Sequence, residues 1–366
     1  MTWPIVEPDG RMRRKRLLQR QRLALDPVES GLRPIRATGV QRGARGLQTP
    51  GPAAHRVYCR SAVPRAPVAV SGGVPLSVPQ GSRSIGMAVH PLAVVGRGVV
   101  LGSDVEIGPF ACVADDVVLG DGVVVMSHAS ILDGVRLDTG CVVHQGAVLG
   151  GDPQNRAYRG DRTFLHVAPR TVFREFTTVS RGTKAGAATR IGSDCMLMMG
   201  AHVGHDCCLG DRVTIANAGQ VAGHCEIHDG ATIGGISVLH QFVRVGRLAM
   251  IGFDSVVRQD APPFMLTSGP TPALVYGLNR VGLARASLSI DARRELKQAF
   301  QFLYRSGLNT SQAVERIRAE LACLPETIQL LEFIGNSRRG LCSGARRLRP
   351  RAVPVPPEIP APSCDE

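Results

Sequence analysis

Five of the ten histidines lie between His202 and His240, and one of them, His205, is followed directly by Asp206. An imidazole held by a carboxylate can take a proton from an attacking hydroxyl, which is the work of a general base. Three hexads further on stand Gly223 and His224. A glycine N–H with no side chain over it can hold an oxyanion as it forms. Taken singly, each histidine reads as a polar surface residue; as a cluster they point to a site. Zinc is the alternative reading, since His202 and His205 are three apart and His224 and His228 four apart. Residues three apart on a strand face opposite sides unless a turn intervenes, so no metal ligand is assigned.

The interval of three hexads matters because of the elements that must carry these residues. From Val95 to Leu149 every sixth residue is aliphatic, and the same frame returns at Val179 and runs from Ile191 through Val203, Val221 and Leu239 to Val257. No helix has that period, and a plain strand alternates without a turn at every sixth residue. Short strands with a corner at that interval do produce it. The fold class is therefore mainly β: a left-handed parallel β-helix of hexapeptide repeats, three hexads to a triangular coil, over residues 87–262. Residues one coil apart stack, which sets His205 on Gly223 and Asp206 on His224. The period breaks from Gly150 to about Arg170 and again at Lys184–Ala188. Both breaks read as loops projecting from a continuing coil, and long loops on a rigid scaffold usually carry function.

After Pro262-Pro263 the pattern becomes helical, giving a C-terminal α-helical cap over residues 263–340. Ser289 reads as the N-cap of a helix burying Leu296, Ala299, Phe300 and Leu303 and ended by Gly307. Further helices are expected near 311–322 and 326–335, covering the open end of the coil. Residues 341–366 read as a loose Pro/Arg-rich tail, and residues 1–86, Arg-rich and without period, as a disordered basic extension. That extension is read as reading-frame sequence upstream of Met87, with a transit segment as the alternative.

The net charge of +13 suggests nucleic acid until its distribution is considered. The excess of Lys and Arg sits in the two ends, leaving the middle near neutral, so no nucleic-acid partner is expected. No uninterrupted apolar run is long enough to span a bilayer, so no transmembrane segment is expected. Aromatics are only 4%, so the core must be built from small aliphatic residues. Cys141, Cys195, Cys207 and Cys225 recur at one slot of the repeat, two positions before the aliphatic one. They read as buried small hydrophobes in a reducing, cytoplasmic setting.

Ala201-His202-Val203-Gly204-His205-Asp206-Cys207 resembles the catalytic motif of the UDP-N-acetylglucosamine O-acyltransferases that begin lipid A synthesis. Further matches are Arg181-Gly182-Thr183, Gly223-His224, the run from Gly234-Gly235 to His240-Gln241-Phe242, and Gly277-Leu278-Asn279-Arg280. The resemblance covers about residues 87–340. It implies transfer of a hydroxyacyl chain from acyl carrier protein to the 3-hydroxyl of UDP-N-acetylglucosamine. His205 would deprotonate that hydroxyl, Asp206 would orient His205, and Gly223 N–H would hold the tetrahedral intermediate. Gln154, Asn155 and Tyr158 on the first loop, with His202, His224, His240 and Gln241, would contact the nucleotide sugar, and Arg280 its phosphates. The resemblance also implies a homotrimer with sites between subunits and no cofactor beyond the acyl carrier thioester.

Several residues depart from that family's pattern. Asn155 and Ala157 stand where the loop usually carries an Asp and a Lys, and Val281 stands where a second Arg follows the first. These changes favour, as an alternative, a 3-amino sugar or another nucleotide sugar as acceptor. A non-catalytic or zinc-binding solenoid is the reading from a different class. Phe253 replaces a glycine lining the acyl groove, where each buried methylene is worth ~0.8 kcal/mol. A ring there predicts a preference for shorter acyl chains.

Overall fold

The computed structural model describes residues 88–345, so the expectations for residues 1–86 and for the tail beyond 345 lie outside the described residues. Most strands are short pairs of residues that recur once per hexad, as in His202–Val203, Cys208–Leu209 and Thr214–Ile215. They collect into three sheets of 11, 9 and 8 strands, in which each strand of the coil pairs with the third one along the chain. The chain thus visits a first, second and third face in turn and stacks each coil in parallel on the last. His202 pairs with Gln220 and Gln220 with Val238, so the regular step between stacked strands is three hexads.

The hexad's aliphatic residue points into the prism, and Leu149, Val203, Val221 and Leu239 are fully buried. The slot two positions earlier also faces inward, filled by Ala147, Ala201, Cys195, Cys207 and Cys225. Burial pushes the thiols of Cys141 and Cys195 up to about 11, so they pack as inert small side chains.

Most corners place one residue in the left-handed region, where glycine is least strained. At the corner between the second and third faces the position falls instead to Asp206, His224 and Phe242, with φ of 57°, 60° and 64°. Main-chain bonds between coils hold them there: His224 N–H donates to His205 O (2.9 Å) and Phe242 N–H to Gly223 O (3.1 Å).

Two loops leave this same corner, between Val148–Gly151 and Phe164–Val167 and between Thr178–Ser180 and Ala188–Ile191. On the third face Arg136 pairs with His166, His166 with Arg190, and Arg190 with Cys208. Those register steps are five, four and three hexads in turn, so the loops lengthen single coils without shifting the frame. The coil resumes at Phe164, earlier than the period suggested, because Val167 and the buried Phe173 keep the inward slot.

The coil continues past Pro263. Met265–Ser268 adds a parallel strand to Met250–Ile251, and Leu274–Leu278 turns back antiparallel to it. The helices follow only then: α1 (Arg280–Arg285), α2 (Ile290–Tyr304), α3 (Thr310–Glu320) and α4 (Pro325–Gly335). The Ser289 side chain caps α2 by accepting from Ala292 N–H at 3.1 Å, and Gly307 stands just beyond it at φ 77°. Asn309 and Gln312 form a reciprocal capping box on α3. The last turn of α4 meets the last coils, with the Arg244 guanidinium 4.4 Å from the centre of the Phe333 ring. Residues 341–345 are not loose: Leu341 bridges to Asp260 and Gly344 to Val275, and the buried Asp260 carboxylate accepts from Arg244 N–H and Ser337 Oγ. That segment satisfies main-chain groups on the coil's last edge. Among the described residues no helix is long and apolar enough to cross a membrane.

Candidate active site

The corner between the second and third faces gathers the residues that can do chemistry. His205 Nδ1 lies 2.9 Å from Asp206 Oδ2. In the tautomer that donates Nδ1–H to the carboxylate, Nε2 keeps its lone pair for a substrate proton. The ring lies over Gly223, where a Cβ would come within 2.6 Å of it. Only glycine leaves room for the imidazole there. Gly223 N–H meets no acceptor among the described residues, so it can serve an incoming oxygen.

Asp206 is held from both sides. Its Oδ1 accepts from Thr183 N–H (3.1 Å) and its Oδ2 from the Thr183 hydroxyl (2.7 Å), while its own N–H donates to Thr189 Oγ1 (2.9 Å). Burial pushes the carboxyl upward, but the hydrogen bonds from Thr183 and His205, with the nearby His224, outweigh burial and hold it below the usual carboxylate range. The group therefore stays ionised and keeps accepting from His205.

His224 completes the corner. It stands edge-on to His205, with ring centres 5.0 Å apart, and stacks flat on Phe242 at 4.5 Å. Burial lowers its basicity; Asp206, 3.6 Å away, opposes that, and His205 and Lys184 reinforce it. His202 lies one strand earlier, its Nδ1 2.8 Å from Thr178 Oγ1, and burial and His205 lower its basicity too. Both rings are thus disposed to be neutral hydrogen-bonding partners. Gln241 and His240 sit one coil below Gly223 and are exposed, and His240 Nδ1 lies 3.1 Å from Gln241 O.

The first loop carries Gln154 exposed. Asn155 Oδ1 accepts from Ala157 N–H at 2.9 Å, an Asx turn that leaves its amide N–H groups for a ligand. The Tyr158 hydroxyl donates to Asp161 O (2.8 Å) and accepts from Arg181 (3.2 Å). Two expected residues stand apart from His205 within one chain. Arg280 opens α1 and lines a groove between the helices. Phe253 is 67% exposed and lies at the corner between the first and second faces.

The four-histidine zinc arrangement is not gathered, since His228 packs edge-on against Phe333 and His202 bonds Thr178. His205, Asp206 and His224 do bring potential ligand atoms within 4.8 Å of one another. The carboxylate between them is already engaged by three hydrogen bonds.

A profile described as Udp N-acetylglucosamine O-acyltransferase, Domain 2, matches residues 260–342, and one for the bacterial transferase hexapeptide matches residues 188–218. The acyl-[acyl-carrier-protein]–UDP-N-acetylglucosamine O-acyltransferase of Anaeromyxobacter sp. strain K is 47% identical over 256 residues, 70% of this chain and 99% of the relative. The chain belongs to that family. The enzyme of Thiobacillus denitrificans is 46% identical over 254 residues, 69% of this chain and 98% of its own. Among solved structures, the UDP-N-acetylglucosamine acyltransferase LpxA of Bacteroides fragilis superposes with a TM-score of 0.68 at 35% identity, covering 69% of this chain and 99% of its own. LpxA of Acinetobacter baumannii gives 0.67 at 34% over 69% and 98%. The fold is the left-handed β-helix with C-terminal helices of these acyltransferases.

Sequence reasoning missed the residues that hold this acyltransferase's Asp206. Thr189 did not stand out, because the same inward slot also carries a buried hydroxyl at Thr171, Thr177, Ser237 and Ser255. Thr183 stood inside a matched motif without a role.

Proposed function

We propose that this chain transfers a 3-hydroxyacyl group from acyl carrier protein to the 3-hydroxyl of UDP-N-acetylglucosamine, with His205 as general base. The observation that carries the mechanism is the His205–Asp206 pair facing a side-chain-free Gly223. His205 Nε2 takes the proton of the sugar hydroxyl as its oxygen attacks the thioester carbonyl. The carbonyl electrons move to its oxygen, which accepts from Gly223 N–H. On collapse the C–S bond breaks, and the departing thiolate takes the proton back from His205. No cofactor enters these steps, and dependence on an acyl carrier suits a cytoplasmic reaction.

His202, His224, Gln241, Gln154 and Asn155 are assigned to the nucleotide sugar, since they surround or overhang the same corner. The groove between α1, α2 and α3 is assigned to the carrier. Arg285, Arg293, Lys297 and Arg305 line it, a cationic surface suited to an acidic partner, while Arg280 is kept for the phosphates of the nucleotide sugar. A trimer with sites between subunits is supported by the first–second corner, where Leu92, Phe110, Phe176, Met199, Ile236 and Phe253 are each more than half exposed. This apolar ridge runs about 40 Å at the inter-strand spacing. Phe253 on one corner and His205 on another meet the same acyl chain only if two copies share the site.

The test is transfer to UDP-N-acetylglucosamine from a set of hydroxyacyl carrier donors, with His205→Ala beside the wild type. The variant is expected to lose about two to four orders of magnitude in rate, and the wild type to keep its rate in EDTA; a mutant rate equal to wild type would sink the mechanism. A 3-amino sugar acceptor is the second reading, favoured by the loop's loss of charge at Asn155 and Ala157. It predicts higher kcat/KM for the 3-amino analogue in direct competition.

A further inference from the structure

Three consecutive main-chain N–H groups in the second loop reach three different parts of the corner. Arg181 N–H donates to Gly151 O (3.0 Å), where the first loop leaves the coil, and Gly182 N–H to Phe164 O (3.2 Å), where it returns. Thr183 N–H donates to Asp206 Oδ1. The side chains repeat the division. Arg181 donates to Asp152 and to the Tyr158 hydroxyl on the first loop, and to Asp133 O (2.9 Å) and Gly150 O (3.3 Å) beneath it. The Thr183 hydroxyl donates to Asp206 Oδ2 at 2.7 Å. Between them Gly182 packs so closely that a Cβ would lie 2.6 Å from the Ala187 carbonyl carbon, so only glycine lets the two limbs of the loop close together here.

We propose that Arg181-Gly182-Thr183 is a positioning clasp that fixes the sugar-binding loop and the base-orienting carboxylate to one rigid piece of backbone. Arg181 sets where Gln154 and Tyr158 stand, and Thr183 sets the angle at which Asp206 meets His205. The clasp ties acceptor placement to base placement, so that the hydroxyl and Nε2 are registered against each other. This inference rests on the reaction proposed above.

The test uses the full chain in steady-state transfer with UDP-N-acetylglucosamine and a 3-hydroxyacyl carrier donor. Thr183→Val removes a hydrogen bond to a charged group and is expected to lower kcat by about tenfold or more, leaving the sugar's KM within about twofold of wild type. Thr183→Ser is expected to recover most of that rate. Arg181→Met is expected to raise the sugar's KM by about tenfold with a smaller loss of kcat, and Arg181→Lys to recover part of it. If Thr183→Val does not accumulate folded, Thr183→Ala removes the same hydroxyl without adding a methyl and is read the same way. His205→Ala separates the two ideas. An active His205→Ala removes the reaction mechanism and this inference with it. An inactive His205→Ala beside wild-type kinetics in the Thr183 and Arg181 variants overturns the clasp alone. Equal losses of kcat and KM in both variants, tracking a fall in Tm and not restored by Ser or Lys, also overturn it.

Discussion

Gly223 serves the site twice: it offers an unengaged N–H and leaves the space that the His205 ring occupies. Gly223→Ala tests the second role, because the new Cβ would stand 2.6 Å from His205 Cε1. The ring must swing off its Asp206 contact to relieve that overlap. We expect kcat to fall by about a hundredfold, the lower end of what general-base catalysis supplies, with the sugar's KM little changed; initial rates at saturating carrier donor measure it. The residues of this corner were legible in the sequence as far as one uniform step could reach. A step of three hexads found Gly223 under His205 and His224 beside Asp206, because every coil after Ile191 has that length. Thr183 escaped because it reaches Asp206 across a coil lengthened by one further hexad. Tyr158 was assigned to the substrate, yet its hydroxyl is engaged by Asp161 and Arg181, leaving its ring as the part a ligand can touch.

Elements with a strong local signal were read well. The hexad strands follow from inward aliphatic slots, and α2 to α4 follow from Ser289, Asn309 and Pro325 at their starts. The hairpin of Met265–Ser268 and Leu274–Leu278 was missed because it extends the first face beyond the last hexad, where no repeat remains to announce it. Helix α1, less than two turns long, is too short for a period to appear. Phe253 belongs to this scale, since its effect depends on which corner presents it. Its ring lies 3.6 Å from where a Cβ on Gly235 would stand and otherwise faces out, so it can close a groove only against a neighbouring surface. Phe253→Gly is expected to raise the ratio of fourteen-carbon to ten-carbon hydroxyacyl transfer. Each methylene newly buried contributes ~0.8 kcal/mol, roughly fourfold in kcat/KM. An unchanged ratio would return Phe253 to a purely surface role.

The whole molecule makes two demands that can be measured without substrate. The apolar ridge of the first–second corner is the contact of the proposed trimer, and we expect Phe176→Glu with Ile236→Glu to yield monomers in sedimentation equilibrium where the wild type sediments as trimers. Trimers persisting in the double variant would mean that another face makes the contact. The second demand is set by pH. Burial lowers the basicity of His144, His166, His202, His224 and His228. A group whose folded pKa lies below its unfolded one takes up its proton first in the unfolded chain, so stability falls with pH once the unfolded imidazole begins to titrate. Tm should be level above the ordinary imidazole value of about 6.5 and decline below it. Replacing His202 by Gln should lessen that decline, since the amide has no proton to gain.

The two lengthened coils carry a consequence for how such a protein can change. One is longer than its neighbours by two hexads and the other by a single hexad, so every inward side chain after them faces the same way as before. A solenoid of this kind behaves as a ruler with a fixed tick: length added at one corner in whole ticks leaves the rest of the scale in phase. The loop between Val148–Gly151 and Phe164–Val167 can therefore change in sequence or length while His205, Asp206 and the core beneath them keep their positions. The loop and the His205–Asp206 pair share one corner, yet each can vary without displacing the other.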